Sequence, residues 1–341
     1  MTQPDAVKVS IVIKALNEEE YIENSIRSAL AAIERIGGEV ILADSISTDN
    51  TVGIARQFPV TIVQLKHIED RRCGAGPQLG YQLARGQYVY ILDGDMEMDP
   101  GFLPVAIEAM ENDPGLGGVG GLVDEQSSAS YQFRGRKRRK SEGSPGEAKW
   151  LSMGGLYRRQ ALEQVYYFSN RNLHAYEELD LGLRLKHAGW NLCRLPVRSV
   201  LHHGYSEGSW VLLKRRWRSR YLDGGGEILR ASLGKSYFRD TAWQQKHLFV
   251  GLGLWVGLIV GLLLLPITSW PLVATGLLLV ALVTIRASRI GSLSDAIFAQ
   301  LVWQVTSLAM VRGFLASPVD PRKPIEKVVL NRPGFTGDSI S

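Results

Sequence analysis

The first hundred residues switch repeatedly between two hydrophobic periods. Val7–Ile13 ("VKVSIVI"), Glu39–Asp44 ("EVILAD"), Val60–Leu65 ("VTIVQL") and Gln87–Asp93 ("QYVYILD") are short, apolar and rich in β-branched residues, which predicts strands. Between them the apolar positions fall three and four apart. Ile22, Ile26, Leu30 and Ile33 mark a helix within Glu19–Ile36, and shorter helices are predicted at Thr48–Gln57 and Pro77–Arg85. Ser47 or Thr48 suits the cap of the second helix, and Pro100 suits the first turn of a fourth. Strands alternating with helices predict an α/β fold with a mostly parallel sheet covered on both faces. Ligands of such sheets bind beyond the carboxyl ends of the strands. Three polar clusters fall at those ends: Lys14 to Glu18, Asp44-Ser45, and Asp93-Gly94-Asp95.

The pattern changes after residue 125. Residues 125–150 are polar and rich in turn formers, with the basic run Arg134–Lys140 ("RGRKRRK"), and read as a loop. A strand-like "NLCRLP" and a basic helix, Ser209–Leu222, follow. From Leu248 to Ile285 there is no charged residue, and Pro266 and Pro271 break this run into two segments. Each is near the length needed to cross a bilayer, which predicts a transmembrane helical hairpin. Lys246 before it and Arg286 and Arg289 after it place both ends on the cytoplasmic side. Leu293–Leu315 is apolar but interrupted by Asp295, Gln300, Gln304 and Arg312. It reads as an amphipathic interfacial helix, with a third span as the second reading. The chain from Ser317 reads as a loose tail. The expected organisation is a domain over 1–222 with halves meeting near 124–125, a juxtamembrane linker over 223–247, membrane helices over 248–289, an amphipathic helix over 290–316 and a tail over 317–341.

Composition narrows the chemistry. The formal net charge of +5 suits a nucleic acid, a membrane surface or a phosphorylated small molecule, and decides little alone. Cys73 and Cys193 are the two cysteines, without metal-ligand spacing, so a disulfide framework is not expected and a reducing compartment is. The N-terminal "MTQPDAVKVSIVI" lacks the basic and long apolar regions of a signal peptide. No GxxxxGK[ST] loop occurs, and no GxGxxG follows the first strand, which argues against P-loop ATPases and dinucleotide-binding dehydrogenases. Nucleic-acid binding ranks last for the Arg134–Lys140 run, since aromatics are not interleaved with the charges. Anionic lipid head groups or a lipid-linked pyrophosphate fit better.

The stretch "YVYILDGDMEMDP" places Asp93, Asp95, Glu97 and Asp99 at two-residue spacing. A calcium loop of the EF-hand type needs glycine at its sixth position and a bidentate acid at its twelfth. Here those are Met98 and Pro104, which excludes it. Carboxylates on a turn at the sheet edge can instead hold Mg²⁺ or Mn²⁺ with positions left open for phosphate oxygens.

Five blocks, "VSIVIKALNEEEYIENSIRSAL", "EVILADSISTDNTVGIA", "GAGPQLGYQLARGQYVYILDGD", "GGLYRRQAL" and "EELDLGLRLKHAGW", resemble the family-2 glycosyltransferases with the GT-A fold, in order and over roughly residues 7–222. The resemblance implies a Rossmann-like GT-A sheet with flanking helices, a nucleotide-sugar donor (UDP- or GDP-linked) and Mn²⁺ or Mg²⁺. It assigns Ala15, Asn17, Glu18, Asp44, Gln78 and Asp93 to the nucleotide, and Asp93 and Asp95 to the metal, with His202 and His203 as further metal candidates. It assigns Glu178 as the general base of an inverting transfer, with Glu177 and Asp180 as rivals beside it. "LKRRW" is similar to the "QxxRW" motif of processive synthases, which makes Arg216 and Trp217 candidate acceptor or diphosphate contacts. The implied protein is a multi-pass protein of a bacterial inner membrane with its catalytic domain in the cytoplasm. Its partners would be a lipid-linked or surface-glycan acceptor, membrane lipids and other polysaccharide-assembly proteins, with no nucleic acid. The alternatives are a processive polysaccharide synthase subunit, against which two hairpin helices count as too few for an export channel, and an inactive GT-A-like membrane scaffold. A membrane-bound nucleotidyltransferase is a further rival, distinguished by releasing pyrophosphate.

Overall fold

Four parallel strands form the centre of one sheet in the computed structural model, which describes residues 7–126, 144–151, 154–204 and 207–333. They are β1 (Val9–Ala15), β2 (Gly38–Asp44), β3 (Thr61–Leu65) and β4 (Tyr88–Asp93), in the order β3-β2-β1-β4. Beyond β4 the sheet becomes mixed through β8 (Gly155–Arg158), β6 (Leu116–Glu125), β9 (Asn191–His202) and β5 (Met96–Met98), and β7 (Gly146–Glu147) pairs with β9. The helices of this part are α1 (Ile22–Ile33), α2 (Thr51–Ala55), α3 (Ala75–Tyr81), α4 (Phe102–Asn112), α5 (Arg159–Gln164) and α6 (Glu177–His187). The expected α/β sheet with flanking helices is what the chain builds. At α2 it is Asp49, not Ser47 or Thr48, whose carboxylate takes the amide of Thr51.

Strand alternation sorts the core. Ile11, Ile13 and Ala15 of β1 pack with Ile22 and Ile26 of α1 and Phe102 and Leu103 of α4 on one face. Val12 joins Ile41, Val63 and Val89 on the other, with Leu79 of α3 and Leu181 and Leu185 of α6. Gly80 lets α3 close on this second face, because a β-carbon there would overlap Val12.

The chain falls into two compact units, Met1–Ser209 with Pro318–Ser341, and Trp210–Ser317. The second contains α7 (Ser209–Arg218), α8 (Gly224–Ala231), α9 (Phe238–Gln244), α10 (Lys246–Leu264), α11 (Trp270–Ile290) and α12 (Leu293–Leu315). The stretch expected as a linker, 223–247, is therefore mostly helical. At 19 and 21 residues, α10 and α11 are long and apolar enough to cross a membrane. The α12 helix has the expected bounds but not the expected orientation. Its small and polar residues Ala296, Ala299, Gln300, Ser307 and Gly313 are buried, while Ile297, Leu301, Leu308 and Val311 are exposed. Gly251 of α10 lies against Ser307, and Trp255 Nε1 donates to the Gln304 carbonyl, so the polar stripe faces other helices of the unit.

The tail from Ser317 is also corrected. Strand β10 (Lys327–Asn331) pairs antiparallel with β3 at the sheet edge. Ahead of it, Gln82 brackets Ile325 with two hydrogen bonds, and buried Arg171 donates to the carbonyls of Lys323 and Pro324. Pro318, Pro321 and Pro324 precede the strand and Pro333 follows it, so none falls within it. The basic run Arg134–Lys140 lies outside the described residues.

Ile325 is 1 % exposed and joins the core face shared by α3 and α6. Ile325→Ala should cost about 2–4 kcal/mol, which lowers the melting temperature by roughly 5–10 °C. Differential scanning fluorimetry of the full chain checks this, and an unchanged melting temperature would show that the tail does not stabilise the sheet.

Candidate functional site

The carboxyl ends of β1 and β4 supply the first part of the site. Their parallel register sets Lys14 directly beside Asp93. Lys14 Nζ lies 3.2 Å from Asp93 Oδ1 and also 3.2 Å from Glu177 Oε1. Glu177 is the first residue of α6, which starts after Tyr176 turns the chain through the left-handed region at φ 71. Burial opposes the Lys14 ammonium, but Asp93 and Glu177 outweigh it and hold its pKa well above the usual lysine range. Lys14 was absent from the expected site residues. Its position ending a buried strand was the available signal.

Glu178 follows on the same helix turn. Burial and then the neighbouring Glu177 push its pKa up to about 8, against the lowering pull of Lys14. A carboxyl so tuned is protonated at neutral pH and becomes a competent base slightly above it. Asp180, its expected rival, is directed elsewhere. It is buried against Arg184 at 2.8 Å, and Arg184 in turn donates to the carbonyls of Tyr167 and Phe168. Two positions further along the helix are enough to turn the side chain into this internal ion pair.

The Asp93-Gly94-Asp95 turn leads into β5, whose pairing with β9 brings His202 to the turn. His202 Nε2 lies 3.2 Å from Asp95 Oδ2, and its Nδ1 2.9 Å from a Glu125 oxygen. Glu125 was not anticipated, because only the pairing of β6 with β9 sets it opposite His202. Burial disfavours the charged ring, but hydrogen bonds to Asp95 and Glu125 dominate and raise the pKa of His202 to about 9. His203, the other expected metal candidate, points away, as successive strand residues must. It meets Glu97 at 2.7 Å and stacks on Tyr21. Among the described residues no group of three or more His, Cys, Asp or Glu side chains is placed to hold a metal ion. Asp95 and His202 form a two-donor set. That fits a divalent ion whose remaining positions are filled by water or phosphate oxygens.

The expected nucleotide-facing residues mostly hold the loops at the strand ends. Asn17, at φ 58, accepts the Thr48 amide at 2.8 Å, and the amide of Glu18 donates to Thr51 Oγ1. Ala15 is buried, and its carbonyl takes the Ser45 amide. Asp44 was expected to meet the base or ribose, but it is fully buried. Its carboxylate accepts the Ser47 amide and Gln64 Nε2, because Ile46 at φ 60 folds the loop back over it. Gln78 is also committed internally, since its Oε1 takes the amides of both Phe168 and Ser169. Arg216 and Trp217 belong to the second unit and pack there. Arg216 stacks over Tyr221, and Trp217 lies under Arg312, which chelates buried Asp223. These contacts form a joint between helices of that unit.

A mixed sheet with acids at the carboxyl edge of its parallel half is the GT-A fold, and solved glycosyltransferases share it along nearly the whole chain. The S. aureus TarS 1–349 structure in complex with UDP-GlcNAc superposes with a TM-score of 0.54 at 15% identity, covering 98% of this chain and 100% of that one. The mannosyltransferase PcManGT from Pyrobaculum calidifontis, in complex with GDP-Man and Mn²⁺, gives 0.54 at 17% identity, covering 90% and 85%. The sequence model for glycosyl transferase family 2 matches residues 10–169. The N-acetylglucosaminyl-diphospho-decaprenol L-rhamnosyltransferase of Mycobacterium tuberculosis is 27% identical over 229 residues, which is 54% of this chain and 72% of that protein. The dolichol-phosphate mannosyltransferase of Pyrococcus furiosus is 26% identical over 110 residues, 31% of each chain. The chain is thus similar to the family 2 glycosyltransferases over residues 10–169.

The raised pKa of Glu178 predicts a pH-dependent stability. An acid whose folded pKa lies above its ordinary 4.5 contributes stability that is fully present below 4.5 and lost as pH rises through about 8. Glu178→Gln keeps the side chain neutral throughout. Its melting temperature should match the parent's near pH 4.5 and exceed it above pH 8 by about 2–4 °C for each kcal/mol recovered. A difference that does not change with pH would refute the shift.

Proposed function

We propose that this protein transfers a sugar from a nucleotide-sugar, UDP- or GDP-linked, to a hydroxyl of a lipid-linked or surface-glycan acceptor, with inversion, at the cytoplasmic face of a bacterial inner membrane. The observation that carries the reading is the division of acids at one sheet edge. Asp93 ends β4 and Asp95 follows on the turn, while Glu178 stands on α6 next to Glu177, which the Lys14 ammonium joins to Asp93. A donor-side pair and a separate base of raised pKa are the two components that an in-line displacement needs.

In this reading Glu178 takes the proton of the acceptor hydroxyl as its oxygen forms a bond to the anomeric carbon. The bond from that carbon to the diphosphate breaks on the opposite face, and the nucleoside diphosphate leaves. A divalent ion held by Asp95 and His202 would offset the charge of the leaving diphosphate. His202 must give up its proton to serve as a ligand. Water must be kept from the anomeric carbon, and the acceptor must enter on the Glu178 side.

The named activities of the relatives support a polyprenyl-linked acceptor, since the Mycobacterium tuberculosis protein acts on an N-acetylglucosaminyl-diphospho-decaprenol. The apolar helices α10 and α11 support membrane anchorage. On α7, exposed Trp210, Val211 and Trp217 accompany Lys214, Arg215 and Arg218, a composition suited to anionic lipid head groups.

A thermal-shift screen of UDP- and GDP-sugars with Mn²⁺ should identify the donor by its stabilisation of the folded chain. With that donor, turnover should rise with pH through about 8 as Glu178 ionises. Glu178→Gln should lower turnover by about 100-fold or more while keeping the donor-induced shift. Asp95→Ala should lose both turnover and the Mn²⁺-dependent part of the shift. Unaltered turnover in both variants would overturn the site assignment, and pyrophosphate as the released product would overturn the reaction class. Long polymer from the purified chain would replace single addition with processive synthesis.

A further inference from the structure

We propose that Lys14 is a positioning residue of the transfer reaction: its ammonium, gripped by Asp93 and Glu177, ties the first turn of α6 to the end of β4 and so sets where Glu178 stands relative to the donor-side acids. The inference rests on the reading of Glu178 as the base.

Three elements converge on one nitrogen. The register of β1 with β4 fixes Lys14 beside Asp93, and the third partner, Glu177, opens α6. The Lys14–Glu177 pair is a direct link between the first turn of α6 and the sheet. Space for the lysine stem is made by Gly76 of α3, where a β-carbon would come to 3.2 Å from Lys14 Cβ. Lys14 and Glu177 are 19% and 9% exposed in their side chains, so water screens this pair weakly. A lone ammonium at such a place would be costly. Two carboxylates at 3.2 Å offset the loss of hydration, and removing the cation would leave them facing each other uncompensated.

The same cation bears on Glu178 electrostatically. The charged and titratable groups around Glu178 are Glu177 on its own helix, Lys14 on β1, Asp93 on β4, Tyr157 on β8 and Cys73 ahead of α3. Of these described groups Lys14 is the cation, and it favours the ionised base. Glu177 and Asp93 oppose it. Loss of Lys14 should therefore move the ionisation of Glu178 to higher pH, and loss of Glu177 should move it to lower pH.

Two measurements test this. Without substrate, the melting-temperature difference between each protein and its Glu178→Gln derivative is followed against pH. In the Lys14→Met background the rise of that difference should shift upward by about one pH unit or more, and Lys14→Arg should restore the parental midpoint. With the donor found by the shift screen, Lys14→Met should lower kcat by about tenfold or more and change the donor KM by less than about threefold, since placement of the base is lost and not donor binding. If Lys14→Met does not fold, Glu177→Gln carries the test, with an expected downward shift and a reduced kcat. A midpoint unmoved in the variant measured, or a Lys14→Arg midpoint displaced like that of Lys14→Met, would overturn the proposal while leaving the base assignment intact. Full turnover in Glu178→Gln would instead remove the base assignment and the role of Lys14 together.

Discussion

The site depends on one constraint, the register of strands at the carboxyl edge of the sheet. Pairing of β1 with β4 fixes Lys14 beside Asp93, and pairing of β5 and β6 with β9 fixes His202 between Asp95 and Glu125. None of these residues chooses its partner freely, because a one-residue slip would turn each side chain to the other face. The apolar faces of β1 make such a slip expensive. Ile11 and Ile13 are fully buried on one side and Val12 on the other. The packing that folds the sheet thus also aims the polar groups at its edge.

The second unit obeys a different rule. Its helices expose Leu263, Leu277 and Val280 and bury polar or small residues, the reverse of a water-soluble bundle. Asp223 is fully buried and held by Arg312 and Arg220, and Gly313 and Gly226 allow the backbones of α12 and α8 to approach closely. A buried carboxylate with two guanidinium partners fixes a helix joint but is costly to break. Trp217 lies against Arg312 in this joint.

The strands and helices of the first hundred residues were legible because their periods of two and 3.6 are clean. The bounds of α12 were legible for the same reason. Its packing was not, since Gln300 and Gln304 read as interruptions of an interfacial helix until other helices of the unit are known to cover that side. The tail was misread because Pro318, Pro321 and Pro324 suggest looseness, whereas Lys327–Asn331 finds its order only by adding to β3. At the site, the acids were visible as a spacing and Glu178 as part of a family resemblance. Asp44, Asn17 and Gln78 have the residue types of ligand contacts, but their hydrogen bonds close on the protein's own loops. Lys14 and Glu125 carried no spacing signal at all, because strand pairing and not sequence neighbourhood supplies their partners.

That difference explains how four acids can stand two residues apart at Asp93, Asp95, Glu97 and Asp99. Each has its own basic partner from a different part of the chain: Lys14 at 3.2 Å, His202 at 3.2 Å, His203 at 2.7 Å and Arg198 at 2.8 Å. The stretch is therefore a row of separate pairs and not one cage. The outer two are partly solvated and contribute little. In the proposed reading the inner two engage the donor. There a divalent ion at Asp95 would compete with the proton of His202, whereas at Asp93 it would compete with an ammonium also bound by Glu177. A proton is easier to displace than a side chain held by two carboxylates, so that reading puts the ion at Asp95 and keeps Asp93 as the link to the helix of Glu178.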